Sequence, residues 1–145
     1  MKKFLFGTII CLVCVFLGSS CRKEDDADAF VGIYDVRLTE NVTWGNASGT
    51  TTDTGVFCIT KESSTRVKLT GYISTYGNVY GNIIQLETTT SSDLTGTLTS
   101  IYSPGTLSGN VLLITANTTG RLISNGIYYP FSSIESFTCI KRLSE

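Results

Sequence analysis

Histidine is absent from all 145 residues. That removes the usual general base and the commonest metal ligand together. No Gly-x-Ser-x-Gly elbow occurs, nor any phosphate-loop, dinucleotide, EF-hand or zinc spacing. Nucleophilic catalysis would have to rest on a serine or cysteine activated by lysine or a carboxylate. Cys58 and Cys139 sit in apolar stretches that favour the neutral thiol. The acids Asp35, Glu40, Asp53, Glu62, Glu87, Asp93, Glu135 and Glu145 are scattered, with no two at a telling spacing, and read as strand-end or outward-facing charges. The expectation is a protein that is not an enzyme and takes no cofactor and no metal.

Proline is nearly absent too, at Pro104 and Pro130 only, and charged residues make up 16% of the chain. Lys2 and Lys3 set aside, nine basic residues face twelve acidic ones. That balance has no footprint for nucleic acid. Helical periodicity is missing as well, with no apolar face longer than about two turns. In their place stand Thr, Ser, Gly, Tyr, Ile and Val, the composition of strands and tight turns.

Residues 30–38 open the pattern: Phe30, Tyr34, Val36 and Leu38 share one face with Gly32, while Asp35 and Arg37 share the other. This is the alternation of a half-buried strand. Residues 41–54 read as a long loop or ragged hairpin around Trp44. Further strands are expected over 56–60, 66–70, 79–87, 94–102, 111–116, 120–124 and 136–142, with a shorter one at 127–131 that Pro130 suits to an edge or bend. Asn125-Gly126 is the strongest turn signal, because both residues tolerate positive φ. The fold class is all-β, about eight antiparallel strands as an up-and-down barrel, with a β-sandwich as the alternative.

The N-terminus has another character. Met1-Lys2-Lys3 precedes an apolar run from Phe4 to Leu17, then Gly18-Ser19-Ser20-Cys21. This is the layout of a bacterial secretory signal peptide, and it is shorter than the ~20 apolar residues of a membrane-spanning helix. Leu17 to Cys21 resembles the lipobox of bacterial lipoproteins, although the leucine stands four places before the cysteine instead of three. The resemblance implies cleavage before Cys21 and acylation of its thiol with chains such as palmitate. Lys23-Glu24-Asp25-Asp26 resembles the lipoprotein export signal of Bacteroidetes, which implies an outer-membrane protein facing the cell exterior. The expected organisation is a signal peptide over 1–20, a lipidated flexible tether over 21–29 and a β domain over 30–145. Cys11 and Cys14 leave with the signal peptide. Cys58 and Cys139 remain, as one disulfide or as two free thiols packed like small hydrophobes.

Phe30-x-Gly32-x-Tyr34 resembles the Gly-x-Trp opening of lipocalins and other calycins, with tyrosine for tryptophan. The span from Phe30 to Leu143 is similar to the small calycin-like lipoproteins of Bacteroidetes. The resemblance implies an aromatic sealing the closed end of a barrel and a basic residue, Lys141 or Arg142, covering it. Such a barrel is either packed solid or holds a small apolar ligand. The candidate lining is Phe30, Tyr34, Val36, Leu38, Ile84, Leu86, Leu112, Ile114 and Phe137. A second candidate is a surface-aromatic patch of Trp44, Tyr72, Tyr76 and Tyr80, suited to a glycan or a protein partner. A structural lipoprotein without a small ligand is the third.

Overall fold

The computed structural model describes residues 25–93 and 95–143. The expected signal peptide, Cys21 and Lys23 lie outside the described residues. A short helix, α1 (Asp26–Phe30), precedes ten strands: β1 (Gly32–Trp44), β2 (Ala47–Ser63), β3 (Arg66–Gly71), β4 (Thr75–Tyr80), β5 (Ile83–Leu86), β6 (Thr89–Asp93), β7 (Gly96–Tyr102), β8 (Gly105–Ser108), β9 (Val111–Ser124) and β10 (Ile127–Lys141).

All ten belong to one antiparallel sheet, so the strands do not divide between the two sheets of a sandwich. Eight of them close a ring in the order β10-β1-β2-β3-β4-β5-β8-β9, with β9 returning to β10. The closure is long: β1 pairs with β10 from Tyr34–Lys141 to Trp44–Phe131. Alternation explains it, since Tyr34, Val36 and Leu38 on β1 stand beside Cys139 and Phe137 on β10 and all five are buried.

Several expected strands merge or split. Residues 111–116 and 120–124 belong to one strand, β9, and 127–131 joins 136–142 in β10. Residues 79–87 hold the β4–β5 turn, where Gly81 has φ 59°. Of the two readings for 41–54, a long loop or a ragged hairpin, the structure has the hairpin, and a tight one, because Gly45 at φ 59° turns the chain in two residues. Asn125 and Gly126 both take positive φ, 52° and 76°, as their turn requires. Pro130 lies inside β10 just past the last β1–β10 pair. Its carbonyl accepts from the Gly45 amide, so its missing N–H faces the side where β1 has already ended.

The chain is also ordered earlier than expected. Phe30 ends α1 instead of opening a strand, and residues 25–29 are part of the fold instead of the tether. Ala27 and Phe30 are fully buried against the ring. Lys61 holds Asp25 at 2.7 Å and Asp28 at 2.8 Å, the Ala27 amide donates to the Ser64 carbonyl, and the Gly81 amide donates to Asp26. Residues expected to form a flexible tether thus lie as a helix across one end of the ring.

Beyond the ring, the long strands run on. β9 pairs with β8 over Val111–Leu113 and with β7 over Ala116–Leu122. The result at the end away from α1 is an open sheet in the order β2-β1-β10-β9-β7-β6. One face continues the ring interior (the inner face) and the other continues its exterior (the outer face).

Candidate functional site

All nine expected lining residues are buried together, at 0–8% exposure, with Val67, Leu69, Val79, Phe57, Ile59 and Cys139 in the same cluster. They are the core of the ring, and none of them lines either of the two described clefts. At the α1 end Tyr34 stacks on Phe57 at 5.3 Å, and its hydroxyl donates to the Phe30 carbonyl at 2.8 Å. Burial pushes the Tyr34 phenol up to about 12. Lys141 lays its stem over Gly32, where a Cβ would stand 2.7 Å from Cε, and its ammonium donates to the Ala29 carbonyl at 3.0 Å. Arg142 turns outward to Asp35, with its guanidinium on both carboxylate oxygens.

The four residues of the expected aromatic patch are dispersed. Trp44, at the β1–β2 turn, meets Tyr129 edge-on at 6.2 Å. Tyr72 rests on Gly55, meets Phe137 edge-on at 6.4 Å and donates to Asp53 at 2.8 Å. Tyr76 lies under Arg66 and Lys68 on the side of the ring. Tyr80 stands exposed at the β4–β5 turn. Strand order explains the scatter: residues 72–80 run from the far end back to the α1 end along β4, so aromatics close in sequence end up at opposite ends.

Cys58 and Cys139 are free thiols. Cys58 pairs with Ile33 on the outer face of β1, whereas Cys139 pairs with Val36 on the inner face. They project to opposite sides of the sheet, which forbids the disulfide. Burial pushes the Cys139 thiol up to about 12.

What the strands do bring together is polar. Register places Glu40 directly opposite Glu135 on the inner face, just beyond the Leu38–Phe137 pair. The next inner pairs are Val42–Ser133 and Trp44–Phe131. Across β9 and β7, Ser133 faces Thr118, which faces Ser100, which in turn faces Thr89 on β6. A row of hydroxyls thus crosses the sheet beside a row holding Trp44, Phe131 and Leu98.

These rows are wired together. Thr118 donates to Glu135 at 2.6 Å, Ser133 donates to the same oxygen at 3.1 Å, and Ser100 lies 2.7 Å from Thr118. Thr51 reaches Glu40 at 3.4 Å. Thr118 and Ser133 are buried, and these hydrogen bonds satisfy them. Tyr72 senses these carboxylates: its phenol is pushed up to about 12, by burial first, then by its bond to Asp53 and the charges of Asp53, Glu40 and Glu135. Its bond in turn holds the Asp53 carboxyl below the usual range. Burial also raises the Tyr102 phenol, with Glu135 adding to the effect.

On this face lies a cleft of about 290 Å³, lined by Glu40, Thr89, Thr90, Ser91, Leu98, Ser100, Thr118, Phe131 and Glu135. Among the described residues, no group of three or more His, Cys, Asp or Glu is placed to hold a metal ion. No protein-family model, curated protein or solved structure matches the chain. The cleft is thus read from its own chemistry.

Sequence reasoning missed Glu40, Glu135, Thr118, Ser133, Ser100, Tyr129 and Phe131. The signal was parity: Glu40 is two residues after Leu38, and Glu135 is two before Phe137, so both acids occupy inward positions of their strands. Reading β1 and β10 as short strands hid it.

Proposed function

We propose that this chain is a lipid-anchored bacterial surface protein that binds a neutral saccharide in the inner-face cleft. The carrying observation is the combination there of two carboxylates, a row of hydroxyls and the Phe131 ring, with the Trp44–Tyr129 pair next to Phe131 on the same face. Carboxylates and hydroxyls accept and donate to sugar hydroxyls, and aromatic faces stack on the apolar side of a pyranose ring. Under this reading the ring is a calycin-like barrel with a filled interior. Support comes from the β1–β10 closure, Tyr34 packed at the α1 end and Lys141 lying over Gly32. An apolar ligand inside the ring is the weaker reading, because the side chains that would line its cavity are packed against one another.

The anchor fits this arrangement. Asp25 lies at the α1 end, and the cleft lies at the other end of the strands. Acylation of Cys21, four residues before Asp25, would hold the α1 end at the membrane and present the cleft outward.

A glycan array probed with the purified protein tests the reading. Neutral glycans are expected to bind, and Trp44→Ala combined with Phe131→Ala is expected to abolish the signal while leaving the fold intact. Uptake of a fluorescent apolar probe with no glycan bound would replace it with the apolar-ligand reading. Mass spectrometry of the membrane-extracted protein tests the anchor, with diacylglyceryl-modified Cys21 as the expected mature N-terminus.

A further inference from the structure

The outer face of the same sheet carries the larger of the two described clefts, about 450 Å³, lined by Asp93, Gly96, Thr97, Thr99, Thr119, Gly120, Arg121, Ile123 and Tyr128. We propose that it is a second binding site, for a saccharide that carries a carboxylate, with the Arg121 guanidinium as the anion contact.

The first argument is the accounting of positive charge. The described residues include seven lysines and arginines. Lys61, Arg66 and Arg142 form ion pairs, Lys141 donates to the Ala29 carbonyl, and Lys68 lies 5.7 Å from the centre of the Tyr76 ring. Arg37 and Arg121 have no ion pair among the described residues, and Arg121, unlike Arg37, lines one of the two described clefts. The cleft's acid, Asp93, is occupied by its turn, accepting from the Thr95 amide at 2.7 Å and the Thr95 hydroxyl at 2.6 Å. These bonds hold its carboxyl below the usual range. Among the described residues Arg121 is therefore the cleft cation without an ion pair, on a planar fork that matches a carboxylate with two hydrogen bonds.

The second argument is what surrounds it. Thr97 is directly opposite Arg121 across β7 and β9, and Thr99 is opposite Thr119. The three hydroxyls can each donate and accept, as hydroxyls of a sugar ring demand. Tyr128, opposite Ile123, brings an exposed aromatic face with an apolar neighbour. At Gly96 and Gly120 the strands approach so closely that a Cβ would overlap the facing carbonyl oxygen. Charge distinguishes the two faces of the sheet: two carboxylates, Glu40 and Glu135, would repel an acidic ligand from the inner cleft, whereas in the outer one the Arg121 guanidinium offsets the single carboxylate of Asp93 and offers an anion contact.

Calorimetry on the full chain in detergent tests this, with trimers of galacturonic and of glucuronic acid and their methyl esters as uncharged controls. At least one acidic trimer is expected to bind, and its ester at least tenfold more weakly. Arg121→Gln is expected to lower affinity at least tenfold, Arg121→Lys to recover part of it, and Trp44→Ala to leave it unchanged. No binding at millimolar trimer, equal binding of acid and ester, or an unchanged Arg121→Gln overturns the proposal. So does displacement by inorganic phosphate at the trimer's own concentration, which would reveal a bare anion site. Loss of neutral-glycan binding in Trp44→Ala reports on the inner cleft alone, so the two sites stand or fall separately.

Discussion

Glu40 and Glu135 face each other across the β1–β10 seam, two like charges on directly opposed positions of adjacent strands. Such a pair destabilises a sheet. Thr118 and Ser133 blunt the cost by donating to Glu135, while among the described residues Glu40 has the longer contact from Thr51. The arrangement trades stability for a cleft with two acceptors.

Removing one charge should therefore stabilise the fold. Glu40→Gln is expected to raise unfolding free energy by about 0.5 kcal/mol in urea titration, the scale of a cross-strand pair, while weakening saccharide binding. Thr118→Val should do the opposite, because it strips a buried charge-assisted bond, at a cost of about 1–3 kcal/mol. A destabilised Glu40→Gln would refute the repulsive reading of the pair.

The end-sealing helix gives a second prediction. Phe30 is fully buried, whereas the Lys61 pairs to Asp25 and Asp28 are partly exposed. Phe30→Ala is expected to cost about 3–5 kcal/mol. Lys61→Met should leave the urea midpoint within its scatter, since exposed ion pairs contribute little. Comparable losses in the two variants would show that charge, not burial, holds α1.

Alkaline pH should unfold the protein by way of buried acids. The Cys139 thiol ordinarily ionises near 9.0 and the Tyr34 phenol near 10.0, and burial raises each to about 12. The folded state thus keeps protons that the unfolded chain releases. Their stabilisation is complete below about pH 9 and is lost as pH rises through about 12. Urea midpoints measured from pH 7 to 12 should be flat, then fall. In Cys139→Ala the fall should begin nearer pH 10, and a profile unchanged in shape would remove Cys139 from the explanation.

Thiol labelling checks the strand faces. Native protein treated with maleimide is expected to label Cys58, which is half-buried on the outer face, and to spare Cys139 until denaturant is added. A peptide map with the two cysteines joined would contradict the register of β1 with both its neighbours.

How much of this was legible varies by element. The turn at Asn125-Gly126, the inward alternation of Tyr34, Val36 and Leu38, and the all-β class follow from local rules, because positive φ and a period of two leave marks on neighbouring residues. Strand length did not. Threonine-rich segments such as 47–54 lack apolar alternation, so they read equally as loop or ragged hairpin until a partner strand satisfies their backbone. Glu40 and Glu135 lie 95 positions apart in the chain and meet only because β1 and β10 close the ring.

The sequence alone determined the missing histidine chemistry, the strand-and-turn character and the core residues of the ring, since these depend on side-chain type and near neighbours. Tertiary structure decided which faces meet. It sent Cys58 and Cys139 to opposite sides of the sheet, scattered Trp44, Tyr72, Tyr76 and Tyr80, folded residues 25–29 onto the ring end and placed Arg121 in an outer cleft. Register is a property of strand pairs, and a one-residue slip would turn every side chain to the other face.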